Sequence, residues 1–142
     1  MQTIVADIAI IAALLRNEEL RTLTSDRIFN TARPENEEKE DNIPYIVVTY
    51  EGMQSSDENK DNPHGTHDVE RVNVLCVAHD RVQLADLINK SRKAITEYLE
   101  SEECFNEFNL DDFSEAATAV MYDWTVPCVY QSLQYTVYTF NL

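Results

Sequence analysis

Glycine, proline and basic residues are scarce in this sequence. It has two glycines and four prolines among 142 residues, which excludes collagen-like and low-complexity chains. Two glycines also provide no glycine-rich, phosphate-binding loop. Eleven lysines and arginines stand against 26 aspartates and glutamates, giving a formal net charge of -15. This excess argues against direct binding to nucleic acid, whose backbone attracts clustered Lys and Arg.

Long hydrophobic runs are absent as well. The apolar run at residues 4–15 is interrupted by Asp7, and no basic segment precedes it. A membrane-spanning helix needs about 20 apolar residues, roughly twice what this run offers. The run therefore predicts neither a transmembrane helix nor a secretory signal, and we expect no membrane partner.

Cysteine is rare, and its three positions do not suggest pairing. The odd number and irregular spacing of Cys76, Cys104 and Cys128 predict no disulfide framework. A reducing compartment is the simplest inference. Cys76 lies in a strand pattern and Cys128 follows a proline, so we expect both to be small, buried or half-buried thiols.

The strongest pattern that the sequence does contain runs from residue 69 to residue 99. Its first part alternates and predicts a strand with one buried face, formed by Val72, Val74, Cys76 and Ala78. Asp80 can cap a following helix, and Gln83 can complete a capping box. Apolar residues then recur at three- and four-residue steps, which predicts one buried helical stripe: Leu84, Leu87, Ile88, Ser91, Ile95, Tyr98 and Leu99.

A first helix is predicted near the start of the chain. Thr3 can cap it, and Arg16 and Asn17 would close it. Its predicted stripe comprises Ile4, Ile8, Ile11, Ala12 and Leu15. Further apolar residues, Val5, Ile10 and Leu14, widen that stripe. Either both sides of the helix are therefore buried in the monomer, or a neighbouring chain buries one of them.

The remaining patterns complete an α+β domain. Strands are predicted at residues 26–31, 45–50, 120–126 and 133–140, the last two forming an antiparallel pair joined through 127–131. Residues 104–108 are weakly helical, and polar loops are expected at 32–42 and 52–68. The prediction is a single domain, residues 1–142, in the order αβββαββ. It has a mostly antiparallel sheet of four to five strands, with two main helices packed on one face.

The loop at 52–68 offers the metal-like spacings of the chain. Asp57, Asn59, Asp61 and Asp68 resemble part of a calcium loop, but Asn62 stands where the turn needs glycine. His64, His67 and Asp68 could share a zinc ion, although no cysteine lies close in sequence. An acidic, solvated loop is the preferred interpretation, so no metal site and no cofactor are predicted.

Nucleophilic catalysis has little support in the sequence. Cys104 or Cys128 would need a histidine such as His79, and no pattern sets up a reactive thiolate. The closing aromatic residues are expected to form core and a partly exposed sheet face rather than a ligand pocket: Tyr122, Trp124, Tyr130, Tyr135, Tyr138 and Phe140. We therefore predict no catalytic residues and no enzyme.

Three stretches together resemble a known family. They are Arg27-Ile28-Phe29 before a polar loop, Ile43-Pro44-Tyr45-Ile46-Val47-Val48 before a long loop, and the strand from Val69 through Arg71 to Asp80 that leads into the helix. This combination resembles the phage tail-completion or tail-terminator family, which is related in fold to the tail terminator of phage lambda. The resemblance covers roughly residues 3 to 100, and the two closing strands also fit.

The resemblance implies a structural role in a phage or prophage tail. Members of the family form a ring, commonly of six subunits, that caps the tail tube, ends its polymerisation and presents a surface for head joining. The implied partners are further copies of the chain, the tail tube protein and a head-completion or neck protein. The implied location is the virion tail, after assembly in the bacterial cytoplasm. The acidic segments at 35–41 and 52–68, and residues 100–119, depart from the family pattern.

Two other functions stay open at this point. One is a head–tail connector or adaptor protein of the neck, and the other is a small ligand-binding domain or enzyme whose loop holds a ligand. In the ring interpretation, the loop at 52–68 is expected to be mobile alone and to meet a basic partner surface. The outer sheet face, with Tyr50, Leu75 and Val77, is expected to pack against a neighbouring subunit.

Overall fold

The computed structural model describes residues 5–30, 42–55 and 67–140. These residues form four helices and six strands. In chain order they are α1 (Ala6–Leu15), α2 (Glu18–Thr24), β1 (Ile28–Asn30), β2 (Tyr45–Ser55), β3 (His67–Ala78), α3 (Arg81–Leu99), α4 (Glu102–Phe108), β4 (Leu110–Ala117), β5 (Met121–Asp123) and β6 (Cys128–Phe140). Within this part of the chain, no helix is both long and apolar enough to cross a bilayer.

One six-stranded sheet organises the fold. Its strand order is β1-β2-β3-β6-β4, and the short β5 also pairs with β6. β1 lies parallel to β2, and every other pair is antiparallel. The predicted α+β class with a mostly antiparallel sheet is confirmed. The predicted order αβββαββ is wrong in detail, because it omits α2 and β4 and does not count the weak helix predicted at 104–108, which corresponds to α4.

The central unit of β3 and α3 matches its prediction closely. The strand face formed by Val72, Val74, Cys76 and Ala78 is buried, and all seven residues of the predicted helical stripe are buried, together with Ala94. At the start of α3, the backbone N–H of Gln83 donates to Asp80 Oδ1 at 2.8 Å. The Gln83 side chain accepts from the backbone N–H of His79 at 2.8 Å. Gln83 thus reaches back one residue further than in the usual capping box.

The predicted start and buried side of α1 are wrong, whereas its predicted end at Arg16 is confirmed. The helix begins at Ala6 with Val5 at the N-cap, whereas Thr3 and Ile4 lie outside the described residues. Its buried side is formed by Ala6, Ala9, Ile10, Ala13 and Leu14, while Ile8 and Leu15 are 50% and 43% exposed. Almost every residue of α1 is apolar, so the spacing of apolar residues could not distinguish the buried side.

The N-terminus of α1 is instead capped by a residue of the sheet. Glu70 of β3 is fully buried, and its Oε1 accepts from the backbone N–H groups of Val5 and Ala6 at 3.1 and 3.3 Å. The hydroxyl of Tyr50 donates to the same oxygen at 3.2 Å, and that of Thr139 donates to Oε2 at 3.4 Å. Burial, and then the Glu70 charge, raise the pKa of Tyr50 well above its usual value, so its hydroxyl stays protonated as a donor.

Two short elements follow from local signals that were overlooked. Asn17 closes α1 as predicted, since its backbone N–H donates to the Leu14 carbonyl at 3.2 Å. Its side chain also accepts from the backbone N–H of Leu20 at 3.0 Å and caps α2. Ser101 caps α4 by accepting from Cys104 N–H at 3.1 Å, which starts this helix before the predicted weak helix at 104–108. Both are ordinary N-cap residues that satisfy the free amides of a first turn.

Several strand boundaries differ from the predicted ones. β2 continues to Ser55 and β3 begins at His67, with Ser55 paired to Asp68, so the predicted loop at 52–68 contains strand at both ends. Residues 56–66, and 31–41 of the other predicted loop, lie outside the described residues. The predicted strand at 120–126 is reduced to β5, and β6 begins at Cys128 instead of after a connection through 131.

Leu87 tests the central position of α3. It is fully buried in the main core, so Leu87→Ala should lower the free energy of unfolding by roughly 2–5 kcal/mol through lost burial and the cavity left behind. Urea denaturation measures the change. Lys93→Ala, on the exposed side of the same helix, is the control and should change stability by less than about 0.5 kcal/mol. Equal effects of the two substitutions would contradict the assigned core.

Glu70 tests the cap of α1. Glu70→Gln keeps the size of the side chain but removes the charge that accepts the two backbone N–H groups. We expect a loss of roughly 1–3 kcal/mol in unfolding free energy, because hydrogen bonds to a buried charged group are being weakened. Glu97→Gln, on the exposed side of α3, is the matched control. A loss no larger than that of the control would show that the carboxylate does not hold α1.

Candidate interaction surface

The structure brings no metal centre together in the residues it describes. Asp57, Asn59, Asp61 and His64 of the two candidate sites lie outside them. Asp68 is buried within β3, where it pairs with Ser55 and Thr139, and not in a loop. Across residues 5–30, 42–55 and 67–140, no three His, Cys, Asp or Glu side chains are grouped so that they could hold a metal ion.

The three cysteines are buried thiols. None of them is in a disulfide, and all three are buried. The predicted burial of Cys76 and Cys128 is therefore confirmed. Burial raises the pKa of the Cys76 thiol to about 12, against a smaller opposite effect of the Ser91 hydroxyl. Burial, with the nearby Glu107 charge, raises the pKa of Cys104 to about 11. Thiols of this kind are protonated near neutral pH and are poor nucleophiles.

His79 lies far from Cys104 but close to Cys128, the two candidate nucleophiles. It precedes α3, whereas Cys104 follows that helix, and the 19 residues of α3 separate them by about 28 Å at 1.5 Å per residue. His79 does follow Ala78, which pairs with Val129, so the strand ends place it beside Cys128. Cys128 is only 5% exposed and belongs to an apolar cluster, which favours a structural role for the thiol.

The depression between α1, α3 and α4 contains an ion pair. It has a volume of about 260 Å³, and Arg16 lies in it with two hydrogen bonds to Glu103 at 2.6 and 2.7 Å. The Arg16 guanidinium also lies 4.5 Å from the centre of the Tyr98 ring. The hydrogen bond from Arg16 lowers the pKa of Glu103. These contacts join three helices, so the depression is best explained as a structural contact.

The outer face of the sheet carries a second apolar cluster. Helices α1 and α3 pack with the residues of the opposite face in the main core. On the outer face, Ile43, Val77 and Cys128 are buried, and four half-buried residues pack against them: Tyr45, Leu75, Val126 and Tyr130. The predicted outward position of Leu75 and Val77 agrees with this cluster. Tyr50 was placed there wrongly, since it packs against the main core and donates to Glu70.

An aromatic turn lies beside this cluster. We use this name for Met121, Tyr122 and Trp124, which are 51%, 45% and 83% exposed. The Tyr122 and Trp124 rings lie 4.3 Å apart. The backbone N–H of Thr125 donates to Asp123 Oδ1 at 2.8 Å, which stabilises the turn. The closing aromatics were predicted to form core and a partly exposed sheet face. Tyr135 is buried in the core as expected, whereas Trp124 lies in a turn and belongs to neither.

The sequence contains a signal for this exposure that was overlooked. Trp124 was assigned to a continuous strand because Val120, Tyr122, Trp124 and Val126 alternate with more polar residues. Residues 124–127 form a four-residue turn instead. Asp123 precedes this turn and Pro127 ends it, and both are common turn residues. A tryptophan within a turn has no sheet face to pack on, which explains its exposure.

Comparisons with known proteins give a fold and no family. No protein-family model matches the chain, and no curated protein matches it. Among solved structures, the chain is similar to one described as "Virion of native gene transfer agent (GTA) particle", with a TM-score of 0.59 and 10% identity. The match covers 94% of this chain and 92% of that one. At this identity the likeness concerns the fold alone.

Thiol reactivity tests the structural role of the cysteines. With pKa values of about 12 and 11 for Cys76 and Cys104, only about one thiol in a thousand or fewer is ionised near pH 8. We expect all three thiols of the native protein to react with a thiol-specific reagent only slowly, and rapidly after unfolding in urea. Mass spectrometry of the labelled protein identifies each site. Fast labelling of native Cys128 would instead indicate an activated thiol and favour an enzyme.

Proposed function

We propose that the protein is a non-enzymatic structural component of a phage or phage-like tail, and specifically a tail terminator. In this role the chain forms a ring, of six subunits by the family resemblance, that caps the tail tube and ends its polymerisation. The ring then offers its other side for head joining. Its partners are further copies of the chain, the tail tube protein and a head-completion or neck protein.

The observation that carries this proposal is the extent of the structural likeness. The chain of the gene transfer agent virion is matched over 92% of its length and this chain over 94%, so the two share an architecture from end to end and not only a sheet. The sequence resemblance to tail terminators points independently to the same kind of particle. It rests on the strands at residues 27–29 and 43–48 and on the unit of β3 and α3.

The exposed apolar surface is consistent with a subunit of an assembly. The outer-face cluster lies on the sheet face opposite α1 and α3, and the aromatic turn lies at the end of the sheet where β6 begins. Tyrosine, tryptophan and methionine are enriched where proteins meet other proteins. Contiguous exposed residues of these types mark interaction sites more often than ordinary surface.

The charge of the chain bears on how it assembles. A formal charge of -15 on 142 residues favours mutual repulsion of free subunits at low ionic strength. Salt screens that repulsion, since the Debye length falls from about 30 Å at 0.01 M to about 3 Å at 1 M salt. The ring should therefore form more readily at moderate or high salt. A basic surface on the tube or neck protein would also favour the ring, because it offsets the repulsion between acidic subunits.

Ring formation and tube capping are the direct tests. We expect sedimentation velocity to show a discrete oligomer whose fraction grows with protein and salt concentration, because screening weakens the repulsion between acidic subunits. Negative-stain microscopy should show rings, and purified tail tubes should bind the protein at one end and stop growing.

Two outcomes would change the proposal. A protein that stays strictly monomeric at high protein and salt concentration, and leaves tube growth unaffected, would contradict a terminator. A ring that does not bind tail tubes but binds neck proteins would identify the protein as a head–tail connector instead. Lys93→Ala, which alters only the exposed side of α3, is the control for non-specific effects of substitution. Its rings should have the same morphology as those of the wild type.

A further inference from the structure

The single tryptophan of the chain is its most exposed large apolar side chain in the described residues. Trp124 is 83% exposed, although tryptophan is highly buried on average. It is held in a defined position, because the Tyr122 ring lies 4.3 Å from it and Asp123 stabilises the turn. A rigid, exposed indole loses little conformational entropy on binding, and such residues dominate the energetics of many interfaces.

A depression whose lining suits an indole ring lies between α4 and β4. Its volume is about 510 Å³, within the range of pockets that enclose ligand-sized groups. Leu99 and Leu110 are buried beneath it, and Phe105 is 45% exposed beside them. Its polar lining is acidic, with four carboxylates: Glu100, Glu102, Asp111 and Asp112. An uncharged indole fits such a site, because its ring can pack on the apolar residues while its N–H donates to a carboxylate.

The turn and the depression belong to opposite ends of β6. Asp123 of β5 pairs with Cys128, whereas Leu110 of β4 pairs with Thr139, eleven residues further along the same strand. At about 3.3 Å per residue the two sites are separated by roughly 36 Å. Trp124 therefore cannot reach the depression of its own chain. A second copy can fill it, and the contact is then head-to-tail.

We propose that Trp124 of one copy enters the depression between α4 and β4 of the next copy and anchors the contact between them. A contact between two different surfaces of identical subunits generates a closed ring when the rotation between subunits closes. The proposal rests on the ring of the proposed function and specifies which surfaces form it.

Charge supports a second copy as the occupant. The stretch from Met121 to Pro127 carries one carboxylate, Asp123, and no other charge, in a chain whose formal charge is -15. The acidic lining of the depression repels most of the acidic surface of another copy. The aromatic turn is a part of that surface that can approach with little repulsion.

Fluorescence of the only tryptophan reads out the contact directly. We expect the emission of the wild-type protein to shift to shorter wavelength as it assembles, because the indole leaves water. Trp124→Ala should weaken self-association about tenfold or more. Val82→Ala, at a residue that is 81% exposed, is the matched control and should assemble like the wild type. Circular dichroism should show the same fold for all three proteins.

A second variant tests the depression and the direction of the contact. Phe105→Glu adds a charge to the depression at a partly exposed position and should impair assembly as Trp124→Ala does. In a mixture, the intact turn of the Phe105→Glu chain can still enter the intact depression of the Trp124→Ala chain. Equimolar mixing should therefore give one-to-one heterodimers, seen by sedimentation, that do not grow into rings.

Four results would overturn the contact. Rings that form in the wild type without any change in tryptophan emission, or in Trp124→Ala as readily as in the wild type, would reject Trp124 while leaving the ring intact. Normal rings of Phe105→Glu would reject the depression as its binding site. A wild-type protein that is monomeric under all conditions would reject the contact and the ring of the proposed function together.

Discussion

A buried carboxylate holds the two layers of this protein together. Glu70 lies on the helix side of β3, and its four hydrogen-bond donors are two backbone amides at the start of α1 and the hydroxyls of Tyr50 and Thr139. Burying a charge is costly unless such donors surround it. The site is therefore stable only when α1 and the three central strands take their native positions. α1 in turn packs in the same core as α3.

This arrangement places α1 and α3 on one face of the sheet and the second apolar cluster on the other. The outer-face cluster and the aromatic turn both lie at the end of the sheet where β3 ends and β6 begins. The acidic depression between α4 and β4 lies at the opposite end. Different surfaces at the two ends of the sheet are suited to the head-to-tail assembly proposed above, in which the chain acts through contacts and not through catalysis. The protonated thiols of Cys76 and Cys104 fit the same interpretation.

The accuracy of the sequence-based predictions varied with the range of the interactions involved. The capping of α3 and the buried stripe of that helix were predicted residue by residue. Asn17 was assigned correctly to the end of α1, but its second role as the cap of α2 was overlooked. β4 carries the charges of Asp111, Asp112 and Glu115 and lacks a clear apolar alternation. Its strand conformation depends on hydrogen bonds to β6, so no local sequence pattern predicts this strand.

The unit of β3 and α3 follows from the sequence alone, because the spacing of neighbouring apolar residues defines the buried side of a strand or helix. The α+β class and the burial of Cys76 could also be predicted from the sequence. The tertiary structure alone decided which side of α1 is buried, since that helix is apolar on all sides. It decided that Glu70 is a buried cap and that Trp124 is exposed. Each of these depends on residues far away in the chain, whose positions are set only when the sheet is complete.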